Sequence, residues 1–372
     1  MQTLRTTIYV FFFLFPLSLS SFHLSLFKDL SSLENDNIIF SPLSAYQALS
    51  LTSNGAKGET QIQMINTLGH SDQIETNICN YNILENVKPC LQIANAVLST
   101  FEPERNFIEV SKKYNALASK LISVNQVNQW CAEKTNNKIT KILDDIQNIQ
   151  MIILNAVYFK SEWKHSFQTQ MTSIQPFYNK DGSISQVKMM KQKQRFKYFE
   201  NKDIQSIELD YIHKGLSAFI ILPKKHIDIR EYINNLTDDE IANIHNNMSY
   251  EKVMLHLPKF EIEFKISLVN SLKKMGMLYP FDKSKADFSN ISTHVSLYID
   301  NIIQKAYLKV DEKGSEAAAV TAITMKLTSA APSVEIPRHM IIERPFIFMI
   351  KDSDIKEQML FIAKIEKLNS IK

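Results

Sequence analysis

The first third of the chain carries a helical pattern of apolar residues. In residues 22–33, apolar side chains recur every three or four positions, which is the period of one helix face. A second helix is predicted from Ser41 to Gly55, because Ser41 can cap its first turn and Pro42 suits its first position. A third helix is expected to begin at Gly58, and residues 126–144 are expected to form a longer charged helix.

Strand patterns dominate the rest of the chain. The apolar run 151–159 predicts a buried strand. Further strands are predicted over residues 217–222, 252–264, 295–299, 306–310, 346–350 and 359–365. Helices early and strands late indicate a mixed α+β fold with large antiparallel sheets. The sequence has no internal repeat and no long linker, so we expect a single domain over residues 22–372.

Residues 1–21 resemble a secretory signal peptide. Arg5 precedes an apolar run over residues 8–19, and small residues follow up to Ser21. The run falls short of the ~20 residues that a membrane-spanning helix needs. These features predict a secreted, extracellular protein that is cleaved near residue 21 and has no membrane span. Sequons at Asn235, Asn247 and Asn290 would accept glycans in that compartment.

The composition argues against several functional classes. The chain has 42 Lys plus Arg and 39 Asp plus Glu, so its net charge of +3 is too small to suggest a nucleic-acid partner. Seven glycines in 372 residues leave little material for phosphate-binding loops, and the common hydrolase, metalloprotease and nucleotide-binding motifs are missing. Nine histidines are scattered without ligand spacing, so no catalytic residue, metal or other cofactor is predicted.

The cysteine pattern does not imply a disulfide framework. Cys79 and Cys90 are close enough in sequence to pair, and Cys131 would be left over. The sequence leaves open whether that pair forms. A hydrophobic core must therefore hold the domain together.

Residues 188–199 combine five cations with three aromatic residues. This pattern has two interpretations. It suits a patch that binds a polyanion, because cations attract sulfate or phosphate groups. It also suits lysines on a solvated strand edge, where they discourage pairing with another chain. We favour the strand edge.

Residues 311–332 are ambiguous between a helix and a strand. Their alanines favour a helix. Read with the period of a strand, the odd positions from Ser315 to Leu327 carry no charge, while Glu316 and Lys326 fall on the other face. This segment could therefore become a strand with one buried face, and the pattern alone does not decide between the two structures.

A series of short motifs, in one order from about residue 22 to residue 368, resembles the serpin family. The motifs include Asn37-Ile38-Ile39-Phe40-Ser41-Pro42, Asn155-Ala156-Val157-Tyr158-Phe159-Lys160, Leu257-Pro258-Lys259-Phe260, Ala286-Asp287-Phe288-Ser289, the segment from Glu312 to Thr321, and Arg344-Pro345-Phe346. The resemblance implies an α+β serpin fold with three β-sheets, eight or nine helices and an exposed reactive-centre loop at about residues 314–344.

The resemblance also implies a function. Inhibitory serpins are suicide substrates of serine proteases and not enzymes. The protease cuts the reactive loop, and the cut loop inserts as a strand of the main sheet while the protease is trapped as its acyl-enzyme. The alternative is a non-inhibitory serpin that acts as a binding, carrier or chaperone protein. The hinge favours inhibition, because residues 314–324 contain no proline and no bulky aromatic residue.

Several residues take on roles from this resemblance. The hinge comprises Gly314, Ser315, Glu316, Ala317, Ala318, Ala319, Val320 and Thr321. The shutter, where the main sheet opens, comprises Ser41, Ser44, Asn155 and Gln304, and the breach above it contains Trp163. Gln304 stands where many serpins have a histidine, so a pH-dependent shutter is not expected.

The resemblance suggests more than one reactive bond. Counting the family's usual distance from Gly314 gives the bond between Thr328 and Ser329, whereas counting back from Pro345 gives the window from Ala331 to Val334. Further alternatives are Leu327, Lys326 and Arg338. The small residues in this loop indicate an elastase-like target protease and Leu327 a chymotrypsin-like one, although the sequence does not name the protease.

Two further predictions concern heparin and the oligomeric state. The family's fourth helix is predicted to be short, between Asp72 and Lys88, so heparin activation is not expected. A monomer is expected.

Overall fold

The computed structural model describes residues 18–86, 90–315, 336–353 and 358–371. The described helices are α1 (Ser18–Leu33), α2 (Pro42–Gly55), α3 (Gly58–Thr67), α4 (Gln73–Asn86), α5 (Arg105–Lys113), α6 (Val124–Lys134), α7 (Ile229–Asn235), α8 (Asp238–Asn246) and α9 (Val269–Lys274). The described strands are β1 (Ile38–Phe40), β2 (Leu91–Ser99), β3 (Leu117–Lys120), β4 (Met151–Phe159), β5 (Ser161–Glu162), β6 (Ser173–Tyr178), β7 (Ile184–Glu200), β8 (Ile204–Asp210), β9 (Leu216–Pro223), β10 (Ser249–Pro258), β11 (Phe260–Ser267), β12 (Asn301–Val310), β13 (Gly314–Ser315), β14 (Arg338–Ile341), β15 (Phe346–Asp352) and β16 (Gln358–Ile365).

The described strands join into two hydrogen-bonded sheets. The main sheet has the order β3-β2-β4-β12-β13-β5, with β11 also paired to β12. The second sheet has the order β1-β16-β15-β9-β8-β7-β10-β14, with β6 also paired to β7. The resemblance implied three sheets. The described strands form two sheets because the 17-residue strand β7 pairs with β6 near its start and with β8 near its end. Strand β7 thereby joins β6 and β8 into one sheet.

The early helices agree with the sequence pattern, and α2 lies at the centre of the fold. Ser41 caps α2, because its side chain accepts a hydrogen bond from the Ser44 backbone at 3.2 Å. The helix contacts β2 and β4 of the main sheet and also β16 of the second sheet. Nearly all of its side chains are buried. The polar residues of α2 therefore lie directly beneath the main sheet.

The predicted helix over residues 126–144 is wrong in its second half. Helix α6 ends at Lys134, and Asn136 and Asn137 have φ angles of 51° and 60°. This left-handed conformation cannot continue a right-handed helix. The Asn128 side chain then accepts two backbone hydrogen bonds from the following segment, at 2.8 and 3.0 Å. These side-chain contacts replace the bonds that a continued helix would have made.

Two strand predictions also need correction. Residues 295–299 do not form a strand, although Leu297 and Ile299 are buried. Their apolar pattern reflects burial in the core without a ladder partner. Residues 252–264 form two strands that meet at Lys259, where β10 of the second sheet gives way to β11 of the main sheet. The single strand predicted over residues 252–264 therefore combined two strands that belong to different sheets.

Helix α1 begins before the helix that the sequence pattern predicted from residue 22. Helix α1 begins at Ser18, so the predicted boundary at residue 21 falls inside it, and residues 1–17 lie outside the described residues. None of the helices in the described ranges is long and apolar enough to cross a membrane. Cys79, Cys90 and Cys131 are all buried.

Candidate functional site at the hinge and the main sheet

The main sheet contains a gap one strand wide at one end. Strands β4 and β12 pair directly in parallel, residues 152–158 with residues 301–307. Beyond this ladder the two chains separate. Strand β13 fills the space, with Ser315 opposite Val310 of β12 on one side and Ser161 of β5 on the other. The first two hinge residues are therefore already a strand of the main sheet.

A tight turn connects β12 to Gly314 and Ser315, the hinge residues in this gap. The Asp311 N–H donates to the Gly314 carbonyl at 2.9 Å, and β12 thereby reverses direction into β13. A Cβ atom on Gly314 would lie 2.2 Å from the Ser161 carbonyl oxygen and 2.7 Å from the Glu162 Cα. Only glycine fits where the hinge backbone approaches β5 so closely.

The breach tryptophan holds the turn in place. Trp163 is buried, and its indole N–H donates to the Asp311 carbonyl at 2.9 Å. Its ring stacks on Tyr211 with 4.5 Å between centroids. The Tyr211 hydroxyl is in turn 2.7 Å from the Ser315 hydroxyl. Burial raises the pKa of Tyr211 well above its usual value, so this phenol stays neutral beside the hinge.

A partly buried ion pair fixes the other side of the turn. The Glu312 carboxylate accepts hydrogen bonds from the Lys259 ammonium at 2.5 Å and from the Thr172 hydroxyl at 2.8 Å. Burial alone would raise the pKa of Glu312, but these donors outweigh burial and hold that pKa below its usual value. Sequence reasoning missed both Lys259 and Tyr211 as partners of the hinge, because they come from distant strands.

The shutter residues form one buried network below the gap. Asn155 of β4 and Gln304 of β12 are aligned in the parallel ladder, and the Gln304 amide donates to the Asn155 side-chain oxygen at 2.5 Å. The same amide group donates to the Ser41 carbonyl at 3.0 Å and accepts from the Ser41 N–H at 2.8 Å. Gln304 thus links β12 both to β4 and to the start of α2.

Asn155 extends this network to α2 and β2. Its side-chain N–H₂ group donates to the Ser44 carbonyl at 3.2 Å and also contacts the Ser44 hydroxyl and the Asn95 side-chain oxygen. Asn95 of β2 was missed from the sequence. Its signal was an asparagine within the otherwise apolar run 93–98. The side chains of Ser41, Ser44, Asn95, Asn155 and Gln304 do not titrate near neutral pH.

The structure places only part of the predicted reactive loop. Gly314 and Ser315 lie in β13, whereas Glu316–Thr321 of the hinge and the candidate bonds at Lys326, Leu327, Thr328, Ser329, Ala331 and Val334 lie outside the described residues. Arg338 is exposed at the start of β14 and is aligned with Val253 of β10. Because its backbone belongs to a strand that pairs with β10, Arg338 is a weaker candidate for the residue at the cleaved bond.

The three sequons differ in their accessibility. Asn235, at the end of α7, and Asn247, just after α8, are both exposed. The Asn290 amide instead points inward and donates to the Asn54 and Ala56 carbonyls, at 3.2 and 3.3 Å. A glycan on Asn290 would break these contacts.

Comparison with known proteins agrees with this geometry. The family model described as serpin (serine protease inhibitor) matches residues 17–368. The chain therefore belongs to the serpin family. An uncharacterized serpin-like protein of Thermococcus kodakarensis is 32% identical over 91% of this chain and 82% of its own length. The leukocyte elastase inhibitor of Xenopus laevis is 30% identical over 91% of this chain and 96% of its own length.

Solved serpin structures show the same fold. The native state of the thermophilic serpin tengpin superimposes with a TM-score of 0.85 at 30% identity, covering 94% of this chain and 93% of that one. Serpin48 of the insect Tenebrio molitor gives a TM-score of 0.84 at 27% identity, covering 95% and 97%. The α+β serpin fold expected from the sequence is thus confirmed.

We predict that Asn155→Ala destabilises this serpin by about 3 kcal/mol, because it removes the buried hydrogen bonds of the Asn155 side chain to Gln304, Ser44 and Asn95. Urea unfolding followed by circular dichroism measures the change. The matched control is Asn246→Ala at an exposed helix end, which should change stability by less than about 0.5 kcal/mol. Equal unfolding midpoints for Asn155→Ala and the wild type would contradict the role of the network.

Proposed function

We propose that this serpin inhibits a serine protease as a suicide substrate. The observation that carries the proposal is the position of β13, which already occupies the strand position between β12 and β5. A loop cut by a protease could continue from Ser315 into the sheet. The attached protease would be carried along before its acyl-enzyme is hydrolysed, and the serpin would not act as a turnover enzyme.

The register of β13 tells which residues would meet in the inserted strand. Continuing the antiparallel pairing beyond Ser315 brings Ala317 between Leu308 of β12 and Phe159 of β4. Leu308 and Phe159 are buried in the main core, so the Ala317 side chain would point into that core as well. The small side chains at this position and at Ala319 would enter without a steric obstacle.

The next position in this register supplies a charge match. Glu316 would lie between Lys309 of β12 and Lys160, which directly follows β4. Cross-strand pairs of opposite charge stabilise a sheet by roughly 0.2–1 kcal/mol each. The only charge between Gly314 and Met325 would therefore meet two lysines, which supports insertion as a strand.

Insertion would have to open the shutter. In the same register, Thr321 would lie between Gln304 and Asn155, so their mutual hydrogen bond would break. One parallel ladder would be exchanged for two antiparallel ladders over residues 315–324. At about 1 kcal/mol per additional hydrogen bond, the net gain is of order 10 kcal/mol before side-chain burial. The uncut protein would therefore be metastable with respect to the inserted state by this free energy.

The register also predicts where the inserted strand would end relative to the reactive bond. Strand β12 begins at Asn301 and β4 at Met151, which align with residues 324 and 325 of the inserted loop. The candidate bonds from residue 326 to residue 334 all lie beyond the inserted strand, as the mechanism requires. The bond between Thr328 and Ser329 remains the first proposal. Its small residues support an elastase-like protease, and Leu327 would support a chymotrypsin-like one.

The competing function is a non-inhibitory serpin that binds, carries or protects another molecule. Both functions require the same fold, and they differ in whether insertion outruns hydrolysis of the acyl-enzyme. The test is to mix the protein with pancreatic elastase, chymotrypsin and trypsin and to look for complexes that survive denaturing electrophoresis. Loop cleavage by all three without any such complex would favour the non-inhibitory function.

We predict that Ala317→Arg converts this inhibitor into a substrate, because a charge would be buried between Leu308 and Phe159. The matched control is Glu316→Arg, whose side chain would lie on the other face beside two lysines and should slow insertion only modestly. The stoichiometry of inhibition and the yield of stable complex measure both effects. Stable complex from Ala317→Arg at the wild-type yield would refute the proposed register.

We also propose that the protein is secreted and glycosylated at Asn235 and Asn247 but not at Asn290. Expressed with its leader in a eukaryotic cell line, it should leave the cells with glycans that a glycosidase removes. Asn235→Gln and Asn247→Gln should each lose one glycan, and Asn290→Gln none, because the Asn290 amide is bonded inward. Mass spectrometry gives the sites and the mature N-terminus. Protein retained in the cells with an intact leader would contradict secretion.

A further inference from the structure

A cavity of about 520 Å³ lies where four segments of the chain meet. The segments are the end of β6, the end of β9, the residues that lead into α7, and residues 343–345 between β14 and β15. The volume falls within the range of about 300–1,000 Å³ that is usual for small-molecule sites. We call this cavity the α7 pocket, and its lining includes Tyr178, Pro223, Lys225, Ile227, Arg344 and Pro345.

Backbone hydrogen bonds hold the walls of the α7 pocket in place. The Tyr178 N–H donates to the Glu343 carbonyl at 2.7 Å, which joins the end of β6 to the connection between β14 and β15. The Lys224 N–H donates to the Asp203 carbonyl at 2.7 Å, and the Ile227 N–H donates to the Lys224 carbonyl at 2.9 Å. These bonds fix the segment before α7. The fold therefore forms the pocket without help from a ligand.

Part of the lining of the α7 pocket is apolar. Pro223, Ile227 and Pro345 contribute aliphatic surface to it. Tyr178 adds an aromatic ring, and 44% of this side chain is exposed, so a ligand can contact it. Aliphatic and aromatic walls with a few polar groups are typical of sites that cover the apolar body of a small molecule.

Three lysines line the α7 pocket, and each of them has an acidic partner. The pairs are Lys180 with Asp228, Lys224 with Glu200, and Lys225 with Glu343 at 3.4 Å. A carboxylate beside each ammonium group cancels much of its charge. The lysines therefore do not make this pocket a general site for anions.

Arg344 differs from these lysines. Its Nε–H donates to the Pro223 carbonyl at 2.8 Å, and among the residues that the structure describes no carboxylate forms an ion pair with its guanidinium. The neighbouring Glu343 is paired with Lys225 instead. Arg344 is half-buried, and burial lowers its pKa, while the charge of Glu343 raises that pKa only in part. A guanidinium stays charged in proteins, so this cation lies partly desolvated beside the pocket.

We propose that the α7 pocket binds a small organic monocarboxylate with an apolar body. Two N–H groups of a guanidinium can donate in parallel to the two oxygens of one carboxylate. Because the Nε–H of Arg344 is bonded to Pro223, its two terminal nitrogens would make this contact. The carboxylate would supply the acidic partner that Arg344 lacks, and the apolar walls would cover the rest of the ligand.

Other classes of ligand fit the α7 pocket less well. Asp228 and Glu343 are part of the lining and would repel a phosphate group, which carries more negative charge than a carboxylate. An uncharged apolar molecule would desolvate Arg344 further without giving it a partner. None of the described hinge and shutter residues lines this pocket, so ligand binding does not depend on whether the reactive loop inserts.

The decisive variant is Arg344→Gln, which removes the charge and keeps an N–H donor. Isothermal titration calorimetry with naphthalene-2-carboxylate should show affinity at least roughly tenfold weaker than in the wild type, because charge-assisted hydrogen bonds are lost. The matched control, Arg105→Gln at an exposed position in α5, loses the same charge and should keep the affinity within about twofold. Naphthalene-2-carboxamide, which has the same shape and no charge, should bind the wild type roughly tenfold more weakly.

A second variant tests the apolar wall without changing Arg344. Tyr178→Ser should weaken the binding of naphthalene-2-carboxylate, whereas Tyr250→Ser, which removes an exposed ring outside the pocket, should not. Circular dichroism checks that each variant is folded.

Three results would overturn the proposal. The first is equal affinity of the wild type and Arg344→Gln for naphthalene-2-carboxylate, and the second is equal affinity of the wild type for the carboxylate and the carboxamide. The third is that naphthalene-2-carboxylate, hydrocinnamate and decanoate all fail to bind at about 1 mM, by calorimetry and by ligand-observed NMR.

Discussion

The structure depends on how β4 and β12 are joined. Over most of their length they pair directly, and the Asn155–Gln304 hydrogen bond lies in the middle of that ladder. At one end they separate by the width of one strand, and Gly314 and Ser315 fill the opening. The sheet is thus closed by interactions that could be exchanged for a longer inserted strand. The proposed inhibition depends on this contrast between the paired and the separated ends of the two strands.

Contacts from several parts of the chain surround the opening. Trp163 and Tyr211 hold the turn before β13, and the pair of Glu312 with Lys259 anchors its other side. Below, Gln304 ties the closed ladder to the start of α2 through Ser41. These contacts come from five separate segments of the chain. Their joint effect is to fix Gly314 and Ser315 between β12 and β5.

The sequence alone determined the local features of this protein. The apolar periods of α1 and α2, the Ser41 cap of α2, the buried strand β4 and the small uncharged residues of the hinge are local signals, and the serpin resemblance supplied Trp163, Asn155 and Gln304. Tertiary structure decided which distant residues meet. Asn95, Tyr211 and Lys259 became site residues only through the pairing of distant segments. Periodicity records whether a side chain is buried but not its partner, because register is set by contacts between segments far apart in the chain.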